Sequence, residues 1–316
     1  MKDVKTFAGM DFPVESTKDN NVRLKLTSRC QWSCHFCHME GLAGSPELQW
    51  SDSVGDEIIR LMNDMGRSKV HLTGGEPTIY PKIIKVVDFF RHNGKDIAIT
   101  SNGQFSNRLR EELVVSGCSS FSFSLPTLSP TDFIKFHKRK FSVSSSQSNI
   151  DKTVENILAI SSRGLKTDIN AVFSDKLSEM SSIMDFAFAS NINISLLGVI
   201  GELESSEARI SKIVASYNLE PVSYKIYRGT SRARYILRNP ESRTFVNIKM
   251  LEPVYLESMC ASCPIKETCE EKFYGIRIEQ GKDGLLVRTC VHRNVLTSAG
   301  QFAQNQMGRE IRAVCG

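Results

Sequence analysis

The sequence predicts an α/β chain in which parallel strands form one sheet with helices on its outside, followed by a smaller C-terminal region. Two observations predict this. Six short apolar runs alternate with segments of helical spacing through the first two-thirds of the chain, and no tight hairpin signal separates them. After about residue 201 the texture changes to one helix, short strands and a cysteine-bearing tail. A boundary is therefore expected there, with residues 1–200 as the core and 201–316 as a C-terminal extension.

The elements follow in order. Val22-Arg-Leu-Lys-Leu26 alternates apolar and polar residues as a half-buried strand does, and Val54, Ile58, Leu61, Met62 and Met65 recur at helical spacing. Lys69 to Thr73 reads as a strand stopped by Gly74-Gly75, and Pro81 to His92 as a helix with proline in its first turn. Asp96 to Thr100 is a strand ended by Ser101-Asn102-Gly103. Ser106 to Ser116 is a helix, and Ser120 to Leu125 a strand stopped by Pro126. The serine-rich run from Ser142 to Ser146 is expected to be a mobile loop. The next helix is expected to start at a capping box in Ser148-Asn-Ile-Asp151, carrying Ile150, Val154, Ile157 and Leu158. Lys166 to Phe173 is a strand, and Leu177, Met180, Met184 and Phe188 mark a helix. Ile192 to Ile200 is the sixth strand, and Leu203 to Tyr217 opens the extension as a helix. Ligand chemistry in such a sheet belongs at the carboxyl ends of the strands.

Composition narrows the function. The 316 residues are 41% hydrophobic and 24% charged, ordinary for a globular chain. A formal charge of +5 is too small to wrap nucleic acid, yet it does not oppose an anionic small molecule. No specific nucleic acid partner is expected. An apolar run of about 18 residues, enough for a membrane span, is missing. Met1 to Asn20 has no apolar core of a secretory signal. Nine cysteines fall in two tight groups plus Cys118 and Cys315. An odd, clustered set reads as metal binding in the reducing cytoplasm, with no disulfide framework.

The first group is Cys30, Cys34 and Cys37, at C-x3-C-x2-C just after the first strand. Three thiolates from one tight loop suit a four-iron cluster with one iron left open. With His35 or His38 they also make a zinc site, the competing reading. The spacing, with aromatic Phe36 before the third cysteine, resembles the radical S-adenosylmethionine (radical SAM) superfamily. That resemblance implies a partial (β/α)6 TIM-like barrel and a [4Fe-4S] cluster whose open iron holds the amino and carboxylate groups of S-adenosylmethionine (SAM). It further implies reductive cleavage of SAM to a 5′-deoxyadenosyl radical, which abstracts hydrogen from a substrate.

Gly74-Gly75-Glu76-Pro77, one strand later, matches the superfamily's next motif. Alone, two glycines mean only a turn. The resemblance implies that this segment receives the methionine amino group through backbone oxygens, with Glu76 ordering the loop. Ser101 and Asn102 end the third strand, Ser122 and Ser124 lie in the fourth, and Asn170 in the fifth. Small polar residues at strand ends can bind ribose hydroxyls and the methionine carboxylate, as such positions do in related enzymes; a turn or a strand surface is the plainer alternative for each. His71, inside the second strand, reads as a packing histidine.

The second group is Cys260, Cys263 and Cys269, at C-x2-C-x5-C, with Cys290 farther on. In isolation it reads as zinc; in a radical SAM chain a second [4Fe-4S] cluster is expected. Tyr274-Gly-Ile-Arg277 through Gly284 to Cys290 is laid out like the tail of the GTP cyclase family of molybdenum-cofactor synthesis, and the similarity runs from Arg23 to about Arg293. The longer gap containing Cys269 departs from that family, as does an end of Val314-Cys315-Gly316 in place of Gly-Gly. C-x2-C-x5-C also resembles the SPASM/twitch group, but Phe273 stands where its next cysteine would be. One auxiliary cluster is therefore expected, with Cys269 as a candidate fourth ligand. Cys118 and Cys315 carry no pattern. The basic segments Phe136-His-Lys-Arg-Lys140 and Arg228-Gly-Thr-Ser-Arg232-Ala-Arg234 read as solvated faces, with a phosphate or carboxylate contact as the alternative.

Only 29 residues precede Cys30, which tilts the expectation from a peptide toward a small, nucleotide-like biosynthetic substrate. GTP cyclisation, a peptide-modifying enzyme and a zinc-binding regulatory protein are the other readings. A reducing partner such as flavodoxin or ferredoxin is implied by the resemblance.

Overall fold

A computed structural model describes residues 3–37, 44–173, 180–199 and 203–315. His38, Leu177, Ile200 and Gly316, all invoked above, lie outside these residues.

A hairpin of β1 (Val4–Phe7) and β2 (Met10–Lys18) comes first. The core follows as β3 (Asn21–Thr27), α1 (Asp52–Asp64), β4 (Lys69–Gly74), a 3-10 turn at Pro77–Ile79, α2 (Ile83–His92), β5 (Asp96–Ser101), α3 (Asn107–Val115) and β6 (Ser120–Ser124). It continues as α4 (Pro130–Phe136), α5 (Val143–Ser161), β7 (Lys166–Val172), α6 (Ser181–Ala189), β8 (Asn193–Leu197) and α7 (Leu203–Ala215). The remainder holds β9 (Glu220–Arg228), β10 (Arg232–Arg238), β11 (Phe245–Leu251), α8 (Glu257–Cys260), β12 (Arg277–Gln280), β13 (Leu285–Arg288), β14 (Leu296–Ser298), α9 (Ala299–Phe302) and α10 (Gln306–Cys315).

Strands β3 to β8 lie side by side and parallel, the six units read from the sequence. The extension continues this sheet at both edges, β11 running parallel to β8 and β12 parallel to β3. The order is β1-β2-β9-β10-β11-β8-β7-β6-β5-β4-β3-β12-β13-β14, an open sheet with no ladder closing its ends. This is the partial barrel expected. Among the described residues no helix is long and apolar enough to cross a membrane.

Alternation decides the two faces. Val22, Leu24, Val70, Leu72, Ile97, Ile99, Phe121, Phe123, Ile169, Ile194 and Leu196 are buried in one apolar core shared with the helices. The opposite face carries Arg23, Lys25, His71, Thr100, Ser122, Ser124, Asp168 and Asn170 at the intervening positions. A parallel sheet is normally apolar on both faces; here one face is polar because it lines the inside of the barrel.

Two expectations change. The serine-rich run is no loop: α5 begins at Val143, capped by Ser142, whose side chain accepts from Ser145 N–H while Ser145 answers to the Ser142 N–H. The capping box therefore lies six residues earlier than Ser148. Serine is a poor interior helix residue but a good cap, and a run of serines supplies the cap wherever the packing of Ile150, Ile157 and Ile160 sets the start. The N-terminal hairpin was also not foreseen. Its turn, Ala8-Gly9, has positive φ at both positions (50° and 76°), the geometry of a two-residue hairpin turn, without the usual Asn-Gly signal.

Replacing Ser142 with alanine is expected to weaken the first turn of α5 by about 1 kcal/mol. Amide exchange at residues 143–146 should then accelerate about five-fold, with the rest of the helix unchanged.

Candidate active site

The first cysteine loop leaves the end of β3 and is held from two sides. Gly75 N–H donates to Thr27 O at 2.8 Å and Glu76 N–H to Arg29 O at 2.8 Å. The glycines are required by this approach: a Cβ on Gly74 would lie 2.3 Å from Thr27 O, and one on Gly75 2.2 Å from Arg29 O. Gly74 also has φ +144°, open only to glycine.

Glu76 is fully buried and spans the next two strand ends. Its Oε1 accepts from Thr78 N–H, the Thr78 hydroxyl at 2.6 Å and the Ser101 hydroxyl at 2.8 Å, and its Oε2 accepts from Asn102 N–H at 2.7 Å. Burial pushes its carboxyl above the usual carboxylate range, and these bonds oppose the shift. Pro77 opens the 3-10 turn beneath it. Asn102 Oδ1 accepts from Gln104 N–H at 2.9 Å, which turns its Nδ2 toward the Cys30 sulfur at 3.8 Å.

From the other side, the segment after α4 clamps the loop. Cys34 and His137 form an isolated β-bridge, His35 N–H donates to Phe136 O at 3.0 Å, and Lys138 N–H to Ser33 O at 2.7 Å. Arg139 N–H bonds the Ser33 hydroxyl and its guanidinium the Gln31 carbonyl. His137 Nε2 lies 3.6 Å from the Cys34 sulfur, its Nδ1 donating to Phe133 O. Trp32 is buried against Phe133 and bonds Asn149, while Phe36 packs against Phe136, ring centroids 4.7 Å apart and tilted by 52°. Phe136-His-Lys-Arg-Lys140 is thus a strap across the cysteine loop. The sequence reading had offered a solvated face or an anion contact here; the buried Phe136 and His137 were the missed signal.

The three thiols are neighbours. Burial pushes Cys30 up to about 11, and burial raises Cys34 further, each also feeling the Cys37 charge. Groups disfavoured as bare thiolates in one loop fit a cationic multi-iron cluster, which removes the penalty on ligation. Ser122 and Ser124 sit on the inner face of β6, and Asn170, on β7 beside Ser124, accepts from Lys249 Nζ at 2.8 Å. The structure therefore brings Gly74 to Pro77, Ser101 and Asn102 against the cysteine loop, with Ser122, Ser124 and Asn170 farther round the same face. His71 Nε2 pairs with the Thr100 hydroxyl at 2.7 Å. Cys118 is buried in the core, pushed up to about 12 by burial.

The second group converges too. Cys260, Cys263, Cys269 and Cys290 line one pocket together with His292 and Arg293. Burial raises Cys260, with added repulsion from Cys269, Cys290 and Cys263. Cys263 is lowered by the Ile265 N–H and by Arg293. Lys272 N–H donates to the Cys269 sulfur at 3.2 Å. Among the described residues no three His, Cys, Asp or Glu side chains close in tightly enough to chelate one metal ion.

The Radical SAM superfamily profile matches residues 24–187, from β3 into α6 and across the cysteine loop. The chain belongs to the radical SAM superfamily. It is therefore a radical SAM enzyme, of a family that uses SAM and a [4Fe-4S] cluster and requires a reductant. Among its relatives, a probable GTP 3′,8-cyclase of Thermococcus kodakarensis is 24% identical over 284 residues, 87% of this chain and 85% of that protein. A probable GTP 3′,8-cyclase of Methanothermobacter marburgensis is 34% identical over 121 residues, 38% of this chain and 39% of that one. Among solved structures, SuiB of Streptococcus suis bound to S-adenosylmethionine superposes with a TM-score of 0.58 at 15% identity, covering 94% of this chain and 66% of SuiB. That likeness is one of fold, and it includes the extension beyond the core.

Gly75→Ala should displace the Arg29 carbonyl and with it the cysteine loop. Reconstituted protein is expected to lose iron although every thiol is retained, as read by iron and sulfide analysis.

Proposed function

We propose that Cys30, Cys34 and Cys37 hold the SAM-binding [4Fe-4S] cluster, that Cys260, Cys263, Cys269 and Cys290 hold a second, and that the substrate is a small anionic, nucleotide-like molecule inside the barrel. Bound there, the first cluster and SAM supply reductive cleavage of the sulfonium to a 5′-deoxyadenosyl radical that abstracts hydrogen from the substrate.

The chain's own residues do the rest. The backbone oxygens of the Gly74-Gly75 turn and the side chains of Ser122, Ser124 and Asn170 are offered to SAM. Phe36, packed against Phe136, walls the loop. Glu76 and Ser101 hold Asn102 in place.

The observation that carries the substrate reading is the charge on the inner face. Arg23 of β3, Arg232 and Arg234 of β10 and Lys249 of β11 lie within mutual electrostatic reach, with Asp168 opposing them and Arg232 also paired with Asp19. Burial pushes Lys249 well below the ordinary amine range and lowers Arg234. Cations crowded into a desolvated lumen are stabilised by a bound anion. Arg232 and Arg234 come from the second basic segment of the sequence, and they favour its anion-binding reading.

GTP cyclisation is the second reading, favoured by the relatives' names. Cys269 argues against it: four thiols close every iron of the second cluster, whereas the cyclase-like pattern of three leaves one open for substrate. Zinc, which needs four ligands at about 2.3 Å in a tetrahedron, is the competing reading for both groups, and iron and sulfide analysis of anaerobically purified protein separates the two. The clustered free thiols also support a cytoplasmic setting.

With dithionite and SAM, iron-loaded protein is expected to form 5′-deoxyadenosine slowly without added substrate. Changing Cys30, Cys34 and Cys37 together to alanine should abolish this and remove about half the iron; unchanged iron would sink the assignment. Cys269→Ala should lose the second cluster or its stability. If it keeps both clusters and full activity, the open-iron reading regains ground, and assaying the wild type for conversion of GTP to the cyclic pterin precursor decides it.

A further inference from the structure

The strap that clamps the cysteine loop with its backbone turns its charged side chains outward. Lys138, Arg139 and Lys140 are consecutive and exposed. They sit over the loop, because the same residues' N–H groups bond Ser33, one residue from Cys34. His35 N–H bonds Phe136 O of the strap at 3.0 Å, and Cys37, two residues on, is itself exposed. Carboxylates are sparse in the sequence on either side of the ridge. Between Ser129 and Gln147 the sole carboxylate is Asp132, which is buried and paired with Lys135 at 3.0 Å. The loop from Ser28 to Cys37 has no acid, and its Arg29 is paired with Glu47 at 3.0 Å.

Backbone clamping alone would not need this sequence. Neutral side chains would make the same N–H bonds to Ser33, and three adjacent exposed cations repel one another. Their placement beside an exposed thiol loop has a use where a negatively charged protein must approach that loop.

We propose that the ridge Lys138-Arg139-Lys140 is the docking surface for an acidic electron-transfer protein that delivers electrons to the cluster held by Cys30, Cys34 and Cys37. The step moves one electron: the donor's reduced flavin or iron–sulfur centre is oxidised by one electron and the cluster is reduced by one, with no bond or proton exchanged. The ridge steers the acidic partner to the exposed end of the cysteine loop at Cys37. The proposal rests on the reading that those cysteines ligate the cluster.

The test compares two reductants on one protein. Reduced flavodoxin must dock; dithionite need not. In Lys140→Glu, which leaves the residues bonded to Ser33 and Gln31 untouched, 5′-deoxyadenosine formation driven by flavodoxin should fall about three-fold or more at low ionic strength. The dithionite-driven rate and the iron content should be unchanged. The wild-type flavodoxin-driven rate should fall with added salt, and the variant's should fall less steeply. An unchanged flavodoxin-driven rate, or an equal loss with both reductants at full iron content, overturns the proposal. Should charge reversal disturb iron loading, Lys140→Gln decides instead: a salt dependence equal to the wild type's rules the ridge out. Failure of the underlying ligand reading shows separately, as iron retained when the three cysteines are replaced.

Discussion

The buried carboxylate of Glu76 is the constraint on which the site depends. One side chain accepts four hydrogen bonds, from Thr78 and from the Ser101 and Asn102 end of the next strand. Its own N–H reaches back to Arg29 in the cysteine loop. Three consecutive strand ends are thereby held at fixed separation by a group that cannot move into solvent. An unpaired carboxylate at that depth would cost several kcal/mol, so the loops close around it or not at all. Gly74 and Gly75 let this happen by removing the Cβ atoms that would strike Thr27 and Arg29. The orientation of Asn102, and so of its side-chain N–H toward the Cys30 sulfur, follows from the same network.

Much of this was legible in the sequence, for a physical reason. In β3, β4 and β6 the apolar positions alternate, because one face meets helices and the other a polar lumen, and the limits of β3 to β7 came out within a residue or two; β8 ends at Leu197, short of the expected Ile200. Motifs that sit at strand ends, such as Gly74 to Pro77 and Ser101-Asn102, were placed once the strands were. What stayed illegible depends on distant contacts. Serines 142 to 146 carry no periodicity of their own, and the core contacts of Ile150 and Ile157 extend the helix through them. The strap at residues 136–140 gains its meaning from the cysteine loop about a hundred residues earlier, a pairing no local pattern records. The cationic lumen was half legible: Arg23 and Lys249 hold polar positions in their strands, yet only the sheet order brings β3, β10 and β11 around one space.

The sheet order also explains how a polar lumen is tolerated. Charged residues inside a parallel sheet are costly unless paired or stabilised by π faces. Tyr274 lies under Arg277 at 3.8 Å and under Arg23 at 5.5 Å, and Tyr227 under Arg232 at 4.9 Å and Arg234 at 5.5 Å. Both tyrosines belong to segments beyond residue 201. The extension therefore does more than carry the second cysteine group: it supplies the strands and rings that make the basic face of the lumen sustainable.

The two cysteine groups are prepared differently. Around the first, the strap and the Gly75 and Glu76 amides fix the loop by backbone bonds, so its shape does not depend on the thiols. Cys30 and Cys34 are half-buried, Cys37 is exposed, and the three are mutually repulsive as anions, a strain that cationic iron relieves. Around the second, the loop from Cys260 to Cys269 is held by short-range turns, and Arg293 already favours the Cys263 thiolate. Preorganised geometry with high-energy thiols suits a cluster that must leave one iron open, because the open corner is then set by the protein fold and not by a fourth ligand. A loosely held loop with four thiols suits a cluster whose ligands themselves complete the fold, since ligation there adds folding energy.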